Sequence, residues 1–220
     1  MTELDLRRDI IATCLRMNAS GLNQGVSGNV SVRLEGRMLI TPTSIPYDRM
    51  LPEEICSMAL DAEDGAFEGP RPPSTEWRFH RDILRARPEV GAVVHAHPTY
   101  CTSLAMTRRS IPACHYMIAV FGGDSVRCAD YATYGTEQLS LNVIAAMEGR
   151  SAVLLANHGA IATGHDLANA MWRAVELETI ARQYYNALLI GGPVLLTAEE
   201  MQETFDKGLA ANYGGIRKPH

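Results

Sequence analysis

Apolar residues recur at helical spacing from Leu6 to Met17, where Leu6, Ile10, Cys14 and Met17 fall on one stripe and Gly21 follows as a stop. That pattern predicts an opening amphipathic helix. The period then shortens to that of strands, and Val30-Ser31-Val32 and Met38-Leu39-Ile40 read as a hairpin closed through Glu35-Gly36. From Asp61 to Pro73 two glycines and three prolines break every periodicity, which predicts an irregular surface connection. A second helix is expected over Thr75 to Arg85, capped by Ser74 and ended by Pro88, with Trp77, Ile83 and Leu84 available for packing. Val90 to Ala96 and Ala152 to Ala156 are short apolar runs of strand character, the second preceded by a helix from Thr136 to Met147. The longest stripe runs from Leu167 to Leu189 through Ala170, Met171, Ala174, Val175, Ile180, Tyr184 and Leu188, and stops at Gly191-Gly192-Pro193.

Composition narrows the picture. A chain of 220 residues, 46% hydrophobic, can bury one substantial core, and the expectation is a single domain over 1–220. The formal charge of -5 and the scattering of arginines among acids argue against a nucleic-acid surface. An anionic ligand must then be held by local donors. The cysteines Cys14, Cys56, Cys101, Cys114 and Cys128 are odd in number and form no C-x-x-C, which points to a reducing, cytoplasmic setting. The start of the chain is charged, and no apolar run is long enough to cross a bilayer, so neither a signal peptide nor a membrane anchor is expected.

The chemistry-bearing residues gather at strand ends. Alternation along a strand turns His95 and His97 to the same face, where both can ligate one metal. A third histidine, His158, follows the other apolar strand and precedes Gly159, which lets the chain turn and approach closely. Three imidazoles leave a coordination position open, the mark of catalytic rather than structural zinc, and neutral imidazole suits zinc better than magnesium or calcium. A lone histidine at a strand end is more often simply hydrogen-bonded, which is the reading for His80, His115, His165 and His220. Glu76, in the first turn of the second helix, is either favoured there by the helix dipole or projects to the metal as ligand or general base. The spacing Glu76-x-x-x-His80 is that of a solvated helix face and is not taken as a second metal motif.

Three segments could hold phosphate through backbone amides and hydroxyls without net positive charge: Gly25-Val26-Ser27-Gly28-Asn29, Thr41-Pro42-Thr43-Ser44 and Ser74-Thr75. Turns and caps use the same residue types. The first segment precedes a strand and is no dinucleotide fingerprint.

These segments, together with Gly21-Leu22-Asn23-Gln24-Gly25, Leu39-Ile40-Thr41-Pro42-Thr43, Trp77-Arg78-Phe79-His80, Ile111 to Ala119 and Tyr131-Ala132-Thr133-Tyr134-Gly135-Thr136, resemble the class II aldolase/adducin family over nearly the whole chain. The resemblance implies a three-layer α-β-α fold with a central, largely antiparallel sheet. It implies that His95, His97 and His158 ligate zinc, with Glu76 a displaceable fourth ligand that becomes the base. It places a phosphate site on Gly28, Asn29, Thr43, Ser44, Ser74 and Thr75, and a tyrosine acid at Tyr116, contributed across the subunit interface of a homotetramer. Manganese, iron or cobalt are alternatives to zinc. Four features depart from the family pattern: Ser44 where glycine is usual, Thr75 where serine is usual, Val120-Phe121 where small residues are usual, and a closing tail, Asn212-Tyr213-Gly214-Gly215, that matches only in part.

Cleaving a carbon-carbon bond beside a ketone needs an electron sink, a lysine Schiff base or a metal. The only lysines, Lys207 and Lys218, lie near the C-terminus, which favours the metal. The resemblance then implies retro-aldol cleavage of a small-molecule ketose 1-phosphate to dihydroxyacetone phosphate and an aldehyde. L-Fuculose 1-phosphate and 5-deoxy- or 5-methylthio-ribulose 1-phosphate are the competing substrates. A sugar-phosphate 4-epimerase and a non-catalytic adducin-like interaction module are the competing functions.

Overall fold

A computed structural model describes residues 2–211. Its first helix, α1 (Glu3–Ala19), starts where the Thr2 side chain accepts from Asp5 N and the Asp5 carboxylate accepts from Thr2 N at 2.9 Å. This reciprocal cap satisfies two amides that a helix start leaves open. Ile10, Cys14 and Met17 are buried on the expected stripe.

β1 (Asn29–Leu34) and β2 (Arg37–Ile40) pair antiparallel with Leu34 opposite Arg37, so Glu35-Gly36 is the connection. The left-handed residue there is Glu35, at φ 52°, rather than the glycine. β3 (Cys56–Ala59) adds to β2. The stretch after it is irregular, tied down by single bridges from Ser57 to Glu68 and from Pro42 to Pro73.

α2 (Trp77–Ala86) begins two residues later than expected, and Ser74 is not its cap. Residues 74–77 instead form a turn: Ser74 O accepts from Trp77 N, and Ser74 Oγ from Glu76 N at 3.3 Å. Glu76 therefore occupies the N-cap position, with φ -98° and ψ 13°. The remaining elements are β4 (Ala92–Ala96), α3 (Thr99–Met106), β5 (Cys128–Ala129), α4 (Glu137–Ala146), β6 (Ala152–Leu155), β7 (Gly159–Gly164), α5 (Leu167–Leu189) and α6 (Ala198–Ala210). Short 3-10 turns at Pro52–Glu54 and Tyr116–Phe121 complete them. α5 has the predicted bounds, but its buried face runs through Ala170, Ala174, Leu177, Ile180, Ala181 and Tyr184. Val175, one residue or 100° round from Ala174, turns outward and is 39% exposed.

The strands form a seven-stranded sheet in the order β3-β2-β1-β4-β7-β6-β5, antiparallel throughout except for the β5–β6 pair. One face packs on α1, α3, α5 and α6 through residues such as Val30, Val94, Leu154 and Ala162. The other carries Met38, Val93, Val153 and Ile161 against Phe79, Ile83 and Leu84 of α2 and Leu139 and Val143 of α4. The result is the three-layer α-β-α arrangement with a largely antiparallel sheet. Burial on both faces explains the near-continuous apolar reading of β4 and β6. It also buries one polar side chain on β4, His95, which shares a face with Val93 and meets α2. No helix among the described residues is long and apolar enough to cross a membrane.

Candidate active site

β4 ends at the centre of the sheet, and the β6–β7 connection lies beside it, so two neighbouring strand ends deliver three histidines. His95 and His97 share a face, with their Nε2 atoms 3.1 Å apart. The ring centroids of His95, His97 and His158 are 4.9 Å apart in every pair. Gly159 provides the close approach, because a Cβ there would meet Ala96 O at 2.6 Å. The turn itself is made by the preceding Asn157, which takes the left-handed conformation at φ 55°. Gly28 plays a similar part on β4's other side: its missing Cβ would stand 2.7 Å from His95 O.

Glu76 completes the cluster from α2. Its Oε2 lies 3.2 Å from His95 Nε2, and its Oε1 lies 3.2 Å from His158 Nε2. Burial alone would raise the Glu76 pKa, but the adjoining His95 and His158 imidazoles outweigh it and hold the carboxyl well below the usual carboxylate range. The group is thus an anion at neutral pH. For His97, burial, reinforced by His95 and His158, lowers the pKa to about 4, which keeps this imidazole neutral.

The donor set fits a divalent metal. His95 Nδ1 lies 3.0 Å from the Ala160 carbonyl oxygen, which can only accept, so Nδ1 carries a proton and Nε2 is the nitrogen that faces the cluster and could bind a metal. Nitrogens bound to one tetrahedral ion at roughly 2.0–2.1 Å stand about 3.3 Å apart, close to the 3.1 Å between His95 Nε2 and His97 Nε2. Glu76 Oε1 is buried without a hydrogen bond, a costly state for a carboxylate oxygen unless a cation serves it. Among the described residues, His95, His97 and His158 are the grouping whose side chains could hold such an ion.

A cavity of about 360 Å³ opens beside the cluster. Gly28, Asn29, Thr43, Ser44, Ser74 and Thr75 all line it, with Glu76, His97 and His158. No lysine or arginine does so among the described residues, so the cavity offers an anion hydroxyls, amides and the N-terminus of α2. Ser44 adopts φ 58°, the conformation in which glycine is at no disadvantage. Relief of that strain, partly offset by the looser unfolded chain, predicts that Ser44→Gly stabilises the protein by up to about 1 kcal/mol. Urea denaturation reads this; a lowered midpoint at unchanged slope would contradict it.

Tyr116 stands apart. It opens the 3-10 turn, is 53% exposed and does not line this cavity in its own chain. Three further residues lie at or beside the site without a role assigned to them from the sequence. Tyr131 and Tyr134, from the family-like segment between β5 and α4, line the cavity with exposed rings. His80 is fully buried, which corrects the expectation of a solvated helix face. Its ring packs on Phe79 and hydrogen-bonds to Ser31 and Asn29. The partially matching tail at 212–215, together with Lys218 and His220, lies outside the described residues.

An α-β-α sandwich that sets three inward imidazoles and a buried carboxylate at the wall of a polar cavity has the architecture of a metal-dependent enzyme. The chain belongs to the class II aldolase and adducin family, whose N-terminal domain profile, "Class II Aldolase and Adducin N-terminal domain", matches residues 8–185. It is 47% identical over 206 residues to the 5-methylthioribulose-1-phosphate/5-deoxyribulose-1-phosphate aldolase of Rhodospirillum rubrum, covering 94% of this chain and 92% of the relative. It is likewise 47% identical over 203 residues to the L-fuculose phosphate aldolase of Escherichia coli K12, covering 92% and 93%. Among solved structures, an L-fuculose 1-phosphate aldolase superposes with a TM-score of 0.88 at 41% identity, covering 92% of this chain and 95% of the other.

Proposed function

We propose that this protein is a metal-dependent aldolase that cleaves a short ketose 1-phosphate into dihydroxyacetone phosphate and an aldehyde. The observation that carries the reading is the Glu76 carboxylate, ionised and buried, with one oxygen beside His158 and the other beside His95 on the wall of a polar cavity of about 360 Å³. The names of the relatives, which cleave this class of substrate, support it.

In this reading His95, His97 and His158 hold a divalent cation, zinc by ligand type, with manganese, iron or cobalt as alternatives, and Glu76 is its displaceable fourth ligand. The cation supplies an electron sink for the charge that develops as the carbon-carbon bond breaks. Thr43, Ser44, Ser74, Thr75 and the backbone at Gly28 and Asn29 bind the phosphate with neutral donors. That anchor fixes the reacting carbons relative to Glu76, which moves the proton to and from the enediolate carbon. Tyr116 acts at the aldehyde oxygen in the site of a neighbouring copy in a homotetramer, a role supported by its exposure and by its absence from the lining of its own cavity. The whole chain forms one domain and works in the cytoplasm, in keeping with five unpaired cysteines.

L-Fuculose 1-phosphate and 5-methylthioribulose 1-phosphate are the two substrates to compare. Purified protein is expected to release dihydroxyacetone phosphate from at least one of them, with the signal lost on chelation and restored by zinc. The ratio of kcat/KM values assigns the substrate. No release from either, with metal bound, would overturn the aldolase reading.

A further inference from the structure

Beneath the carboxylate lies a polar cluster whose side chains the proposed chemistry does not use. Asn29 and Ser31 lie two residues apart on β1, on the face that meets α2, and His80 stands one helical turn beyond Glu76. All three side chains are buried, His80 completely. Ser31 Oγ lies 2.7 Å from His80 Nδ1, His80 Nε2 lies 2.5 Å from Asn29 Oδ1, and Asn29 Nδ2 donates to Glu76 Oε2 at 2.9 Å.

Chemistry sets the direction of every link. An ionised carboxylate can only accept, so Asn29 must turn its NH2 toward Glu76 and its carbonyl toward His80. That carbonyl needs a donor, so His80 carries its proton on Nε2. Its Nδ1 is then an acceptor, filled by the Ser31 hydroxyl. Reversing any member would set two acceptors or two donors face to face among buried side chains, at the cost of buried unsatisfied groups.

We propose that Ser31, His80 and Asn29 form a one-directional hydrogen-bond chain that positions the Glu76 carboxylate, anchoring Oε2 and so holding Oε1 toward the site, where it serves the cation and, once displaced from it, exchanges a proton with the substrate. This rests on the reading of Glu76 as the proton carrier. Ser31, His80 and Asn29 are positioning residues: none is required to touch the reacting atoms. The chain also commits the Asn29 side-chain amide, leaving its backbone for the phosphate. It accounts for a buried histidine on the helix that carries the base, a costly choice where a leucine would fill the same space.

The test compares His80→Leu, which breaks the chain, His80→Gln, whose amide can both donate to Asn29 and accept from Ser31, and Ser31→Ala, which removes only the far end. His80→Leu is expected to lower kcat by about 10–100-fold, the range for partners that orient a metal-site residue, while KM changes less than about threefold. His80→Gln is expected to recover most of that loss, and Ser31→Ala to give a smaller one. Metal content and thermal melting of each variant separate positioning from failure to fold. Equal kcat in folded His80→Leu and His80→Gln, or a loss confined to KM, would overturn the proposal. A second measurement is independent of turnover: the nitrogen-15 spectrum of the unmodified, metal-loaded protein should show His80 as the Nε2–H tautomer. An Nδ1–H tautomer would overturn the chain even in an active aldolase. The Nε2–H tautomer in a protein that cleaves no ketose 1-phosphate would keep the chain and reject the assigned reaction.

Discussion

Glu76→Gln lowers kcat for ketose 1-phosphate cleavage by about 10²–10⁴-fold, the usual worth of a positioned acid-base group, and leaves the metal bound. The side chain keeps its length, and one oxygen can still accept from Asn29 Nδ2, so the surrounding hydrogen bonds survive. What disappears is a group able to take up and return a proton. Because three imidazoles remain, metal content by atomic absorption should equal that of the unmodified protein. A variant that retains kcat within about threefold would remove Glu76 from the role of proton carrier and leave it as a ligand alone.

His97→Ala has the opposite signature. Loss of a partner that merely orients a ligand costs about 10–100-fold in metal affinity, so loss of the ligand itself should cost more than about 100-fold. His97 is the informative choice because it is only partly buried, whereas His95 is fully buried and packs edge-on against Phe79. Removing His95 would open a hole in the core and confuse binding with stability. Competition with a coloured chelator measures the affinity, and melting of the chelated protein should match that of the chelated parent. Unchanged affinity would take His97 out of the metal site.

The two predictions rest on residues that differed in how far the sequence exposed them. His95-x-His97 was legible because a strand's two-residue period can place side chains on only one of two faces. His158 was legible as a polar residue at the end of an apolar run. The agent of the turn beside it was not: glycine is the default for a left-handed residue, yet Asn157 takes that conformation, as asparagine can. The bounds of α5 came out whole because a 23-residue stripe ends at two glycines and a proline, while those of α2 moved because Ser74 spends its hydroxyl in the turn before the helix. β5, two residues long, and β7, with Ile161 as its one large side chain between glycines, gave no period to read. His80 was hidden for a tertiary reason. Nothing in Glu76-x-x-x-His80 says that β1 lies against that face of the helix, and only the sheet brings Asn29 and Ser31 to it.

The separation along the chain of the groups that meet in this site shapes how the protein reaches its native state. His95 and Ala160 are 65 residues apart, and Asn29 and His80 are 51 apart. Closing such loops costs entropy before any contact repays it, which places assembly of the sheet's centre among the slow steps of folding. A cation that needs all three imidazoles gains its full hold only after the β1-β4-β7 pairings have closed. The stabilisation such a cation would give therefore falls on the unfolding rate: it would lengthen the lifetime of the folded chain rather than hasten folding.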